Sequence, residues 1–196
     1  AVQPKRKEYA NYWKTHLALN DDSTEKIEKA IAWMLKIAAD NSHGYDQSYR
    51  WGPDYDCSSF CITAWQEAGV PVKTYGASYT GDMRAVFLRC GFSDVIGSVE
   101  VYSGSGLKRG DVLLSEGHHV ATYLGNGQVV HASQNEFGGA VGGQTGDQTG
   151  TEICTRGYYS HTPPWDHVLR YKQGGTEGTP TPEQTVTVYP VRWIPA

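Results

Sequence analysis

The sequence predicts an α+β domain, and three observations carry that prediction. Apolar residues recur with a helical period through the first half of the chain; the period changes to strand-like alternation after residue 110; and turn residues separate the alternating runs. Helices followed by a run of antiparallel strands form an α+β domain, because no strand–helix–strand alternation is present to build a parallel sheet.

The clearest helix spans 22 to 40. Asp22 with Glu25 three residues later has the pattern of a capping box, and Ile27, Ala30, Ile31, Met34, Ile37 and Ala38 form one apolar stripe that reads as core. A second helix is expected over 57 to 68, with Phe60, Ala64 and Ala68 in register and Gly69 as its stop. A third, over 80 to 90, uses Met83, Val86, Phe87 and Cys90 and ends at Gly91. Strands are expected at 111 to 115, 118 to 124, 128 to 133, 151 to 155 and 167 to 171. The glycine-rich run from 137 to 150 reads as a long loop, of the kind that is often functional in a compact domain. Tyr9, Trp13 and Leu17 fall at helical spacing and are expected to pack on the domain.

With 196 residues the chain can bury one sizeable core, and we expect one catalytic-sized domain over 1 to 172. From 173 the run QGGTEGTPTPEQ has linker composition, so 173 to 196 reads as a linker and C-terminal tail. The tail is either a strand docking back on the domain or the start of a truncated module. A formal charge of -4, with Lys and Arg never in a block, argues against a nucleic-acid partner. No stretch approaches the roughly 18 apolar residues that a membrane span needs. Oligomeric state is not legible.

One short stretch raises a chemical question. In GPDYDCSSFC, Cys57 directly follows Asp56 at the expected start of the second helix. With Asp56 as N-cap, the unpaired amides of the first turn and the positive end of the helix dipole sit beside the thiol and favour its ionised form. Cys57 is therefore the nucleophile candidate, whereas Cys61, one turn deeper, looks like core. A disulfide between Cys57 and Cys61 would need the helix to fray, and a Cys90 to Cys154 bridge is left open.

A nucleophile needs a base. His16, His43, His161 and His167 lie in polar contexts and read as surface residues, while His118 and His119 open one strand and His131 lies in the next. Alternation puts His119, Ala121 and Tyr123 on one face and His118, Val120, Thr122 and Leu124 on the other. The turn at Gly125-Asn126-Gly127 decides whether His119 and His131 cooperate. A two-residue turn pairs Leu124 with Val129 and sends the two histidines to opposite faces. A three-residue loop pairs Ala121 with His131 and makes His119 and His131 diagonal neighbours on one face. The second geometry gives a triad in which Cys57 attacks, His119 takes its proton and His131 orients His119. A zinc site built from His118, His119, His131 and a cysteine is disfavoured: HExxH is missing and adjacent strand histidines diverge.

The runs DCSSF at 56 to 60, GD at 110 to 111, GHHVATYLGNG at 117 to 127 and VVHA at 129 to 132 resemble the successive motifs of the NlpC-type papain-like cell-wall cysteine peptidases. The run GDQTGTEI at 146 to 153 resembles the bacteriophage peptidoglycan hydrolase, or amidase, branch of that superfamily. The resemblance covers about 20 to 171. It implies a papain-like fold, with the nucleophile on a helix packed against an antiparallel sheet that carries the histidines. It further implies cleavage of amide bonds in bacterial peptidoglycan through a thioester acyl-enzyme, with no cofactor and no metal.

Cys57, His119 and His131 fall on the family's catalytic positions, and the motif selects His119 over His118. Tyr55, Asp56 and Ser58 flank the nucleophile as substrate-binding candidates, with packing or helix capping as their alternative roles. Asp147 and Gln148 join them through the amidase-like run, and the Cys57 backbone amide is a candidate oxyanion donor. The resemblance places action at the bacterial cell wall, by a phage-encoded or secreted protein. It favours an N-acetylmuramoyl-L-alanine amidase. The alternatives are an endopeptidase cutting the stem or cross-bridge with the same triad, a wall-binding module that has kept the fold without the chemistry, and acyl transfer in place of hydrolysis.

Overall fold

The apolar stripe of the first helix is buried as its spacing requires. In the computed structural model, which describes residues 22–172, helix α1 covers 22–38 and Ile27, Ala30, Ile31, Met34 and Ile37 all lie in the core. Asp22, read as its cap, is already inside the helix and pairs with Lys26 Nζ at 2.9 Å, so the capping position lies outside the described residues. Tyr9, Trp13 and Leu17, and the linker and tail from 173, lie outside them too. Helix α2 (Cys57–Glu67) is capped by Asp56, which accepts from Ser59 N while Ser59 Oγ accepts from Asp56 N. Helix α3 (Thr80–Arg89) is held at its start by Asp82, whose carboxylate takes the amides of Ser78 and Tyr79. Among the described residues no helix is long and apolar enough to cross a membrane.

Six antiparallel strands follow: β1 (Phe92–Asp94), β2 (Val112–Ser115), β3 (His119–Gly125), β4 (Gln128–Ala132), β5 (Ile153–Gly157) and β6 (His167–Tyr171). They form one sheet in the order β1-β6-β2-β3-β4-β5. One face, with Val112, Leu114, Val120, Val130 and Leu169, packs under the helices. The other, with Leu113, Ala121, Val129 and Val168, is covered by Trp165 and by side chains such as Val99, Leu107 and Tyr158. Burial on both faces explains why Val112, Leu113 and Leu114 run apolar without alternating and why β2 is buried throughout.

Strand β1, which pairs with β6, was not expected from the sequence; at three residues it is too short to show a period. Strand β5 starts two residues later than its pattern implied, because Asp147 captures the amides of Thr151 and Glu152 for the preceding loop.

The β3–β4 hairpin corrects the turn expectation. Gly125 pairs with Gln128, so the turn holds only Asn126 and Gly127, both left-handed at φ 51° and 67°, as a tight hairpin turn requires. By itself this turn would separate the histidines. A bulge at Leu124 restores the other register, because the ladder resumes with Tyr123 opposite Val129 and Thr122 opposite Val130. Continued one step, it sets Ala121 opposite His131.

The loop of 137 to 150 has no regular structure but is pinned to the helical side. Asp54 Oδ1 accepts from Gly44 N at 2.8 Å and Gly146 N at 3.0 Å, drawing two loops together. A Cβ on Gly44 would stand 2.0 Å from Gly146 O, so the crossing needs glycine there. All four cysteines are free. Cys90 leads into β1 and Cys154 lies in β5, at opposite edges of the sheet, which removes the bridge between them.

Candidate active site

The first turn of α2 brings Cys57 against β3. The thiol is 6% exposed, and the backbone amides of Val120 and Ser58 face its sulfur. Val120 directly follows His119, so the nucleophile candidate meets the strand one residue from the base candidate. Cys61, one turn on, faces Thr122 Oγ1 at 3.9 Å and is buried core, as its position implied.

His119 Nε2 lies 2.9 Å from His131 Nδ1, with the two rings edge to face. One nitrogen must donate. With the proton on His119 Nε2, its Nδ1 carries the free lone pair that a base needs, and His131 is fixed as the Nε2–H tautomer. Tyr159 Oη stands 3.2 Å from the same His131 Nδ1. His118 is exposed in the turn before β3, which opens at His119 and not at 118 as its pattern implied.

The electrostatics differ from the expectation of a thiolate. Burial pushes the Cys57 thiol up to about 12, and the neighbouring Asp56 carboxylate adds to the shift, outweighing the amides of Val120 and Ser58 and the Arg50 charge. Burial likewise holds His119 down to about 3, with His131 and His161 contributing, and His131 down to about 4. The helix N-terminus is opposed here by burial and by a cap that is itself a carboxylate. The shifts of Cys57, His119 and His131 all favour the uncharged form of each group.

The flanking candidates are engaged within the protein. Asp56 is 3% exposed; its Oδ1 accepts from Ser59 N and Ser58 Oγ, and its Oδ2 pairs with Arg50 Nη1 at 2.6 Å. Ser58 is buried as the donor of one of these bonds. The cap takes the Ser59 amide, and Phe60 N makes the first helical bond to Asp56 O. Tyr55 packs edge-on against Trp33, at 5.4 Å between ring centroids, and against Phe60. Asp147 is buried and organises its loop, accepting from the amides of Thr149, Thr151, Glu152 and Ile153. Gln148 is exposed, with Nε2 donating to Thr145 O. The structure thus joins Asp56 and Ser58 to Cys57, and places Tyr55 and Asp147 in supporting packing.

Three residues that sequence reasoning passed over also belong here. His161, read as a surface residue, stacks on His119 with centroids 5.1 Å apart and planes 20° apart. Trp165 stacks on His161 at 4.9 Å, and Tyr159 reaches His131. The only signal was the aromatic density of YYSHTPPW at 158 to 165. Among the described residues no group of three or more His, Cys, Asp or Glu is placed to hold a metal ion. Beside His131 a groove of about 570 Å³ is lined by Asn135, Glu136, Thr151 and Arg156.

The chain matches the NlpC/P60 family model over residues 46–148, more than half its length and inclusive of Cys57, His119 and His131. It also matches a model described as an endolysin-like domain over residues 129–178. No curated protein sequence matches it. Among solved structures, the P60 domain of an antigen from M. avium subspecies paratuberculosis is 16% identical, with a TM-score of 0.43, over 79% of this chain and 98% of that one. The peptidoglycan hydrolase RipB from Mycobacterium tuberculosis is 15% identical with a TM-score of 0.43, over 80% of this chain and 68% of that one. NlpC1 from Trichomonas vaginalis is 17% identical with a TM-score of 0.43, over 75% of this chain and 44% of that one.

The chain belongs to the NlpC/P60 family, whose members are cysteine peptidases that act on peptidoglycan. Its α+β fold, helices on a six-stranded antiparallel sheet, is the papain-like arrangement of that family.

Proposed function

We propose that the protein is an endolysin-like peptidoglycan hydrolase that cleaves the N-acetylmuramoyl-L-alanine amide bond through Cys57, His119 and His131. The observation that carries this reading is the 2.9 Å contact between His119 Nε2 and His131 Nδ1 on the strand whose Val120 amide faces the Cys57 sulfur. His119 Nδ1 takes the thiol proton as sulfur attacks the carbonyl, so charge separates only at the moment of reaction. The imidazolium so formed donates from Nε2 to His131, and the amides of Cys57 and Ser58 at the helix start receive the developing oxyanion. Protonation of the amine by His119 releases the peptide, and water then hydrolyses the thioester. Asp56, Ser58 and Tyr55 hold the nucleophile in place, while the loop of Asp147 and Gln148 frames the groove beside His131. Action at the bacterial cell wall, as a phage-encoded or secreted protein, follows from the same reading.

The preference for the amidase bond rests on the resemblance of the run GDQTGTEI at 146 to 153 to the amidase branch, a run that lies within the endolysin-like match over 129–178. An endopeptidase cutting the stem or cross-bridge uses the same three residues and is the second reading. Digestion of purified peptidoglycan, with labelling of new amines and mass spectrometry of the fragments, separates them. New alanine N-termini on stems freed from muramic acid support the amidase; new termini within the peptide support the endopeptidase.

A further inference from the structure

We infer that His161 is a positioning residue for the reaction, holding the His119 ring in its working orientation by stacking. This rests on the reading of His119 as the base. Three rings lie nearly parallel: His161 is 5.1 Å and 20° from His119, Trp165 is 4.9 Å and 30° from His161, and Trp165 is 6.0 Å and 28° from His119. The stack is anchored from below, since Trp165 is 2% exposed and its Nε1 donates to Tyr159 O at 3.0 Å. His161 is anchored at its own edge, with Nδ1 2.7 Å from Pro163 O; a carbonyl only accepts, so that nitrogen carries the proton.

The need for such a clamp follows from the strand. His119 is the first residue of β3 and pairs there with Ser115 at the end of β2, where the ladder gives the side chain little lateral support. The His131 contact fixes one point on the imidazole, leaving rotation about the Cα–Cβ and Cβ–Cγ bonds to be restrained by whatever covers the ring faces. His161 and Trp165 supply that cover. Misplacing a reacting group by about 1 Å costs on the order of 100-fold in rate, so loss of the clamp reaches the chemical step. Substrate affinity is untouched, because His161 acts through His119.

The test compares wild type, His161→Ala, His161→Phe and His119→Ala on a soluble peptidoglycan fragment that the wild type cleaves, with thermal melting to confirm folding. Expected is a fall of roughly 10- to 100-fold in kcat for His161→Ala, with KM changed by less than about 2-fold, and return to within about 3-fold of wild type in His161→Phe, which restores the stacked ring. Wild-type kcat in a folded His161→Ala, or a Phe variant as slow as the Ala variant, overturns the inference. Full activity in His119→Ala sinks the base assignment itself, an outcome distinct from an inactive His119→Ala beside an unimpaired His161→Ala. If His161→Ala does not fold, the Phe variant decides, since loss of activity in that folded protein contradicts a role carried by stacking.

Discussion

His119 and His131 share one face of the sheet because Leu124 is bulged out of the ladder between them, and their imidazoles meet at 2.9 Å as a result. Within this pair the roles are unequal. His119→Ala removes the base, and a loss on the order of 10³- to 10⁴-fold in kcat is expected. His131→Ala removes only the acceptor for His119 Nε2 and is expected to cost less, roughly 10- to 100-fold. His131→Asn, whose side-chain oxygen can accept the same proton, is expected to recover part of it. Steady-state rates on a soluble fragment check the order; equal losses in all three variants would contradict it.

The upward shift of the Cys57 thiol has a chemical signature. With the Cys57 thiol pushed up to about 12, alkylation by iodoacetamide is slow at pH 7 and accelerates as pH rises beyond 9. Peptide mapping of the labelled protein over a pH series measures this. A half-maximal rate at Cys57 near pH 6 would show a resting thiolate and refute the upward shift.

Removing the Asp56 carboxylate acts on stability and reactivity in opposite senses. Asp56→Ala deletes the α2 cap and leaves Arg50 without its buried partner, an expected cost of about 3 kcal/mol in denaturant unfolding. The same substitution takes a negative charge away from the thiol, so Cys57 alkylation at a fixed pH becomes faster if the fold survives. A variant both destabilised and slower to alkylate would show that Asp56 does not oppose the thiolate.

The buried histidines predict acid sensitivity. His119 and His131 are held in the folded state to about 3 and about 4, below the 6.5 of an open histidine. Between those values and 6.5 the unfolded chain binds more protons, so stability is full above pH 6.5 and falls as pH drops. The slope contributed is at most about 1.4 kcal/mol per pH unit for each histidine. Urea unfolding from pH 7 to 4 measures it, and the double variant His119→Gln, His131→Asn is expected to be flatter. An unchanged slope in that variant would assign the acid sensitivity elsewhere.

How far the sequence disclosed this molecule depended on the kind of pattern. The periodic elements were legible: the α1 stripe and the Phe60 and Ala64 face of α2 pack as their spacing implies, because burial follows period. Alternation separated His118 from His119, and the motif resemblance chose between them. The turn was not legible in the same way, since Gly-Asn-Gly permits both loop lengths and the bulge at Leu124 leaves no residue signature. Nor was the upward shift of the Cys57 thiol, because local helix electrostatics favour the thiolate while tertiary burial, absent from any local pattern, opposes it. His161 and Trp165 reach His119 from a loop some forty residues away in the chain. No spacing rule relates them.

The most direct test of the central claim measures release of soluble fragments from purified bacterial peptidoglycan by the wild type, Cys57→Ala and His119→Ala, with folding confirmed for each. Release by the wild type and none above background by either variant is expected. Release by folded Cys57→Ala at the wild-type rate would contradict it.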